Sequence, residues 1–294
     1  MSLKKFANLR RLNLKLTARV LYIYLKRAFG FKAQQRDLVY LSYLFTLEQC
    51  NMTHLKEEEN CFKVLSPEGV QIYLRKYPSS DSQVLHQIWT DKEYSIITKQ
   101  IKTNLSQENL CIIDAGANVG YSSLYLFHYL KDSFNIQFVV IEPSEENLSI
   151  LKKNFTINNL KNYHIEHAGL FNKSCYLQIV KDFRGGKDWS LRVEEVDYPT
   201  NLKGVEILDL LRKYGWKEVD FFKMDIEGAE KHLFNGDSYT KEFLDKIKLL
   251  AIEIHDEVGA RKQILEDLRL NHYDYFEHGE LTIGFNQKFK MESI

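Results

Sequence analysis

The sequence predicts an α/β protein: a doubly wound, mostly parallel sheet preceded by a helical extension and a β-hairpin. Three observations carry this. After residue 105, short apolar runs alternate with amphipathic stretches of helical period, the pattern of a parallel sheet covered on both faces. The first of these runs leads straight into a turn bracketed by Gly116 and Gly120. The second ends at Glu142, 22 residues past Gly120, close to the ~20 at which an acidic strand tip receives ribose hydroxyls.

Composition sets the outer limits. A chain of 294 residues allows one large or two modest domains. With 44% hydrophobic and 27% charged residues it is globular rather than disordered, and four Pro and 14 Gly exclude collagen-like or linker-dominated chains. Lys+Arg and Asp+Glu balance at 40 each, so the overall charge does not point to nucleic acid. The balance hides an asymmetry: residues 1–36 hold ten basic side chains and no acidic one, leaving the remainder at about −10. Cys50, Cys61, Cys111 and Cys175 are too few and scattered for a disulfide framework, and Cys111, in an apolar run, is expected to be a small buried hydrophobe. No run approaches the ~20 apolar residues of a membrane span, and no secretory h-region is visible. A reducing cytoplasm is the expected compartment.

In chain order, residues 1–60 are expected to form a basic helical extension, 61–105 a β-hairpin and helix leading into the core, and 106–294 the sheet domain. Over 8–28, Leu9, Leu12, Leu16, Val20 and Ile23 share one helical face, while Arg11, Lys15, Arg19 and Lys26 fall on another. A second helix is expected at 35–50. Cys61–Lys76 alternates on both sides of Pro67 and Gly69, which predicts a hairpin; 81–101 returns to helical spacing. Strands then fall at 110–114, 136–142, 163–169, 219–225 and 249–255, with a final pair near 271–285. Helices fit at 121–131, 144–157, 205–214, 229–236 and 258–270. Residues 181–201 interrupt the alternation as a loop or inserted hairpin, where Arg184, Gly185, Gly186 and Trp189 could form a lid or acceptor platform.

Ligands of such sheets bind at the carboxyl ends of the strands. The turn after the first strand, "DAGANVGYSS", is not the dinucleotide fingerprint, because Asn118 and Tyr121 occupy positions where glycines would be required. A cofactor lacking a pyrophosphate, such as S-adenosylmethionine, fits better. The cofactor-binding set is read as Asp114, Gly116, Asn118, Gly120, Glu142 and Pro143, with Ala168 in the third strand segment; Ser144 is expected to cap the following helix. "FFKMDIEGAEKHLF" delivers Lys223, Asp225, Glu227 and Glu230 to a strand tip, a costly crowding unless the charges are paired or used. The next strand ends with Glu253 and His255 on one side. Catalysis is assigned to Asp225, Glu227 and His255, with His255 or Asp225 as general base. A divalent cation could sit among Asp225, Glu253 and His255, but spacing across separate strands fixes no ligand set and a metal is not favoured.

The segments "IIDAGANVGYSSL", "VVIEPSEENLSILKKN", "VDFFKMDIEGAEKHLFNG" and "LLAIEIH", in this order, resemble the FkbM family of S-adenosylmethionine-dependent methyltransferases. Upstream, "SSDSQVLHQIWTDKEYS" is similar to the Asp…Glu-Tyr helix that precedes the fold in that family. The resemblance covers about 80–290 and leaves residues 1–60 without a counterpart. It implies a class I methyltransferase (Rossmann-like) fold, a seven-stranded sheet whose last strand is antiparallel, and O-methylation, mainly of sugar and polyketide hydroxyls. Gly116, Asn118, Gly120 and Glu142 match its cofactor positions, and Asp225, Glu227 and Glu230 its fourth-strand motif. Ala115 and Met224 depart modestly from the family pattern.

The expected partner is a small-molecule or glycan hydroxyl acceptor; nucleic acid is not expected. The basic head has the composition of a surface-binding amphipathic helix, so residues 1–36 could rest on an anionic membrane at the inner face. The reading preferred here is that Leu9, Leu12, Leu16 and Val20 pack on the acidic body. Two other functions stay open: a non-catalytic, membrane-associated nucleoside-cofactor-binding protein, and a NAD-dependent oxidoreductase, against which the missing glycines count.

Overall fold

A computed structural model of the chain describes residues 8–180 and 192–289. The chain divides into two compact units, one comprising the described residues up to Lys92 together with Lys153–Asn159, the other Glu93–Lys152 and the described residues from Leu160.

In the N-terminal unit the helix expected over 8–28 splits. A 3-10 turn at Asn8–Arg11 precedes α1 (Leu14–Ala28), because Asn13 caps the helix, its side chain accepting the Leu16 N–H at 2.9 Å. Leu16, Val20 and Ile23 are buried, while Leu9 and Leu12 are only partly so. α2 (Gln35–Gln49) follows, its first turn held by the Asp37 carboxylate accepting from the Gln34 N–H at 3.0 Å. The expected hairpin is present as β2 (Cys61–Leu65) and β3 (Gln71–Arg75), with β1 (Thr53–Glu57) added to it as a third antiparallel strand. Tyr43 stacks on Phe62, ring centroids 3.7 Å apart, above Val64 and Ile72 in this unit's core. The backbone N–H groups of Gln71 and Tyr73 donate to Asn158 and Asn154, which covers the open edge of β3. The single helix expected over 81–101 is two: α3 (Asp81–Leu85) runs into a π turn at His86–Thr90 and this unit ends at Lys92, at φ 55°, while α4 (Ser95–Asn104) belongs to the second unit.

The second unit holds the sheet domain. Its elements run β4 (Asn109–Ala115), α5 (Tyr121–Leu130), β5 (Asn135–Ile141), α6 (Glu145–Ile157), β6 (Tyr163–Glu166), β7 (Ala168–Leu170), β8 (Tyr176–Val180), β9 (Arg192–Val196) and β10 (Leu202–Val205). Then come α7 (Ile207–Tyr214), β11 (Val219–Met224), α8 (Glu230–Leu233), α9 (Ser238–Leu244), β12 (Ile247–Glu253), α10 (Arg261–Leu270), β13 (Tyr273–His278) and β14 (Leu281–Asn286). The main sheet has the order β13-β14-β12-β11-β4-β5-β6, and β14 alone runs opposite to the other six strands. This is the seven-stranded, doubly wound class I methyltransferase arrangement that the resemblance implied.

Register builds the core. Ile113 pairs with Val139 on one side and Phe222 on the other, and Phe222 with Leu250, so one apolar layer crosses four strands with no exposed member. Burying each such side chain stabilises the fold by about 1.5–3 kcal/mol. Cys111 departs from expectation: near the start of β4 it is half-buried.

The single strand expected at 163–169 is divided. β6 closes the main sheet, while β7 turns away to pair with β10 in a second sheet of order β7-β10-β8-β9. β8 and β9 form an antiparallel pair flanking residues 181–191. Arg184, Gly185, Gly186 and Trp189 lie outside the described residues. The helix expected at 229–236 is the single turn α8, with α9 following as a separate helix capped by Asp237. Among the described residues, no helix is long and apolar enough to cross a membrane.

Candidate active site

The main sheet reverses its winding between β4 and β11: β5 and β6 lie to one side of β4, β11 and β12 to the other. A crevice opens beyond the carboxyl ends of the strands at such a switch point. A cleft of about 510 Å³, counting space open to solvent, is found there, lined among others by Gly116, Asn118, Glu142, Pro143, Asn147, Ala168, Asp225 and Glu227.

Gly116 (φ 73°) is obligatory for a reason inside the protein. A Cβ there would lie 1.7 Å from the Asp225 carbonyl oxygen, so the missing side chain lets the β4 and β11 tips meet. The Asp225 N–H donates to the Ala115 carbonyl at 3.1 Å and completes the junction. Gly120 (φ 82°) is the left-handed residue at the head of α5 and does not line the cleft.

Glu142 is buried, and its oxygens accept from the Asn118 N–H at 2.8 Å, the Ser144 N–H at 2.9 Å and the Asn147 amide at 3.0 Å. Burial raises its pKa, and those three hydrogen bonds oppose the rise. The same carboxylate therefore ties the β4 turn to the start of α6. Ser144 caps that helix as expected, its hydroxyl accepting the Asn147 N–H at 3.3 Å. Asn118 Oδ1 is buried with no hydrogen-bond partner among the described residues, an unmet polar atom beside the cleft.

Asp114, expected at the cofactor, lies beneath the loop instead. Fully buried, it accepts from the Ser122 and Ser123 hydroxyls, both at 2.6 Å, and faces Lys223 Nζ at 3.4 Å. Asp114 and Lys223 are register partners on adjacent strands, which is why they meet. Lys223 also donates to the Gly116 carbonyl at 2.8 Å and pairs with Asp225 at 3.4 Å. Burial works to lower the Lys223 pKa, but Asp225 and Asp114 outweigh it and hold the ammonium above its ordinary value. Tyr94 is buried in the same unit, its hydroxyl pKa raised first by burial.

His255 is 1% exposed. Its Nδ1 lies 2.7 Å from Glu230 Oε1, and its Nε2 lies 3.3 Å from Glu227, 3.8 Å from Glu253 and 4.0 Å from Asp225. Burial disfavours its charge, yet the hydrogen bonds to Glu227 and Glu230 and the neighbouring carboxylates override it and push the pKa up to about 11. Those contacts favour the imidazolium, which has no lone pair to offer. The expectation of His255 as general base therefore meets a ring enclosed by carboxylates and outside the cleft lining. Glu253 is pushed up to about 9, by burial first and then by Asp225, with His255 opposing.

The sequence-derived residues thus fall into two groups. Gly116, Asn118, Glu142, Pro143, Ala168, Asp225 and Glu227 share the cleft. Asp114, Gly120 and His255 support it from outside its lining. Asn147, Leu170 and Val193 also line it and escaped the motif reading. Asn147 had a signal, standing three residues after a capping serine; Val193, on the second sheet, had none. Asp225, Glu253 and His255 can each bring one ligand atom within 4.8 Å of the others.

Residues 114–281, more than half of the chain, match the family described as the Methyltransferase FkbM domain. Solved structures of similar fold include the methyltransferase FkbM from Methylobacillus flagellatus KT, 17% identical over 69% of this chain and 54% of that one, with a TM-score of 0.43. This chain spans about half the length of that protein. An rRNA methylase from Streptococcus thermophilus is 10% identical over 65% of this chain and 94% of its own, TM-score 0.40. M. capricolum TrmK, solved with S-adenosyl-homocysteine, is 12% identical over 68% and 71%, TM-score 0.35. No curated protein matches the sequence.

Proposed function

The chain belongs to the FkbM methyltransferase family, and from that premise we propose that it is an S-adenosylmethionine-dependent enzyme that methylates a hydroxyl of a sugar, a glycan or a related natural product. The observation that carries this reading is a pair of carboxylates with unlike surroundings in one cleft: Glu142, buried and held by three donors, and Asp225, reachable from solvent. Ribose hydroxyls are recognised by a carboxylate at the tip of the second strand of such sheets, and Glu142 occupies that tip. The unmet Asn118 Oδ1 and the apolar Ile141, Leu170, Val193 and Ile226 suit a ligand with a polar chain and an aromatic base. The cofactor, when bound, supplies a methyl group already activated on a sulfonium.

What remains for the protein is alignment and removal of one proton. A hydroxyl needs a proton acceptor as it becomes an ether, and an imidazolium cannot serve. Asp225 takes the proton in this reading, and Lys223 and His255 hold the local charge balance around it. Glu227 positions His255.

Calorimetric titration with S-adenosylhomocysteine, with NAD as control, tests the cofactor. Micromolar binding of the first, weakened by Glu142→Gln, and no binding of NAD is the expected result. Binding of NAD alone would overturn the reading. Incorporation of labelled methyl into free sugars and glycans, lost in Asp225→Asn, then tests the acceptor class.

A further inference from the structure

Helix α1 carries two apolar faces. Leu16, Val20 and Ile23 are buried within the N-terminal unit. On the opposite side Leu14, Tyr22, Leu25 and Phe29 fall within about 100° of arc at 3.6 residues per turn. All four are exposed, Leu14 at 90% and Phe29 at 79%, and Phe31 beyond the helix end is exposed as well. Single exposed apolar residues are ordinary, but a continuous stripe marks an interaction surface.

Along the segment that carries the stripe the charge has one sign. Arg10, Lys15 and Lys32 are exposed, and no acidic residue occurs in 8–36. The first one, Asp37, is buried and paired with Lys26 at 3.2 Å. Leu9, Leu12 and Leu14 share a shallow, open surface depression with Arg10 and Lys15. A second copy of this face would bring two cationic surfaces together. An anionic bilayer satisfies both features at once, the apolar side chains entering the acyl boundary and the cations meeting headgroups.

We propose that α1 and the Phe29–Phe31 turn dock this protein on an anionic lipid surface, with Leu14, Tyr22, Leu25, Phe29 and Phe31 as the inserted side chains. The docking face is the reverse of the one that carries Leu16, Val20 and Ile23, since those are buried in the protein.

Flotation of the full chain with lipid vesicles tests this. The chain rises with phosphatidylcholine vesicles containing about a third phosphatidylserine and stays behind with phosphatidylcholine alone. Each cation near an anionic surface is worth about a five-fold change in partitioning. Lys15→Glu/Lys32→Glu therefore loses about 25-fold or more, and Leu25→Glu/Phe29→Glu abolishes flotation, both with the parent's unfolding temperature because the sites are exposed. Failure of the parent to float, equal flotation with neutral vesicles, or undiminished flotation of Lys15→Glu/Lys32→Glu would each overturn the proposal. So would sedimentation showing a parent dimer that Leu25→Glu/Phe29→Glu disperses.

Discussion

Replacing Glu230 by Gln removes a buried charge from beside His255. Glu230 is fully buried and 2.7 Å from His255 Nδ1, and the substitution keeps an acceptor oxygen while removing the charge that holds the imidazolium. Breaking a buried ion pair outright costs about 3–5 kcal/mol. Glu227 remains at 3.3 Å, so the loss is closer to that of one charge-assisted hydrogen bond, about 2–3 kcal/mol. Urea unfolding at neutral pH reads the loss, and NMR titration of the imidazole reads its cause. In the parent, His255 titrates far above its ordinary 6.5, at about 11, and in the variant it moves back toward 6.5. Because the folded value is raised, the stability this group contributes is complete below about pH 6.5 and is lost as pH climbs through about 11. Acidification does not remove it. A parent His255 titrating near 6.5, or a variant losing under about 0.5 kcal/mol, would refute the picture of a fixed cation.

Other outcomes follow from the same geometry. Asp225→Asn should lower turnover by about 100-fold or more while S-adenosylhomocysteine affinity measured by calorimetry changes little; full turnover would remove Asp225 from the chemistry. Gly116→Ala forces a left-handed alanine, at about 1–2 kcal/mol, and drives a Cβ into the Asp225 carbonyl, so the unfolding temperature should fall and cofactor binding weaken. Ser122→Ala/Ser123→Ala strips both hydroxyl donors from buried Asp114 and should cost about 2 kcal/mol in urea unfolding, without touching a cleft residue. Glu253, with its pKa raised to about 9, binds a proton more tightly folded than unfolded; Glu253→Gln should therefore flatten the fall in stability as pH rises from about 4.5 to about 9.

The periodic part of the fold was legible because local pattern and global burial agree. The strands at 110–114, 136–142 and 219–225 are predominantly apolar, as strands covered on both faces are, and each is present within a residue or two. The glycine turn and Glu142 were likewise visible, since positive φ and a strand-tip carboxylate leave marks in residue type and spacing. Where the signal was missing, the reason was physical. β1, "THLKE", is short and mostly exposed, so alternation does not reveal it. β7 continues the run of β6 without a break, and only its pairing with β10 assigns it to another sheet. The apolar face of α1 looked like one stripe from spacing, but which side is covered depends on what packs against it.

Residue identity thus determined the α/β class, the order of the elements and which carboxylates stand at strand tips. Tertiary structure decided what those groups are. Asp114 became a buried anchor because register sets it against Lys223, and Gly116 serves a backbone junction because the β4 and β11 tips converge there. His255 is held as a cation because Asp225, Glu227 and Glu230, from the turn after β11, converge on it at the tip of β12. A side chain's charge state depends on distances of a few ångströms between residues far apart in the chain, and spacing along one strand cannot encode them.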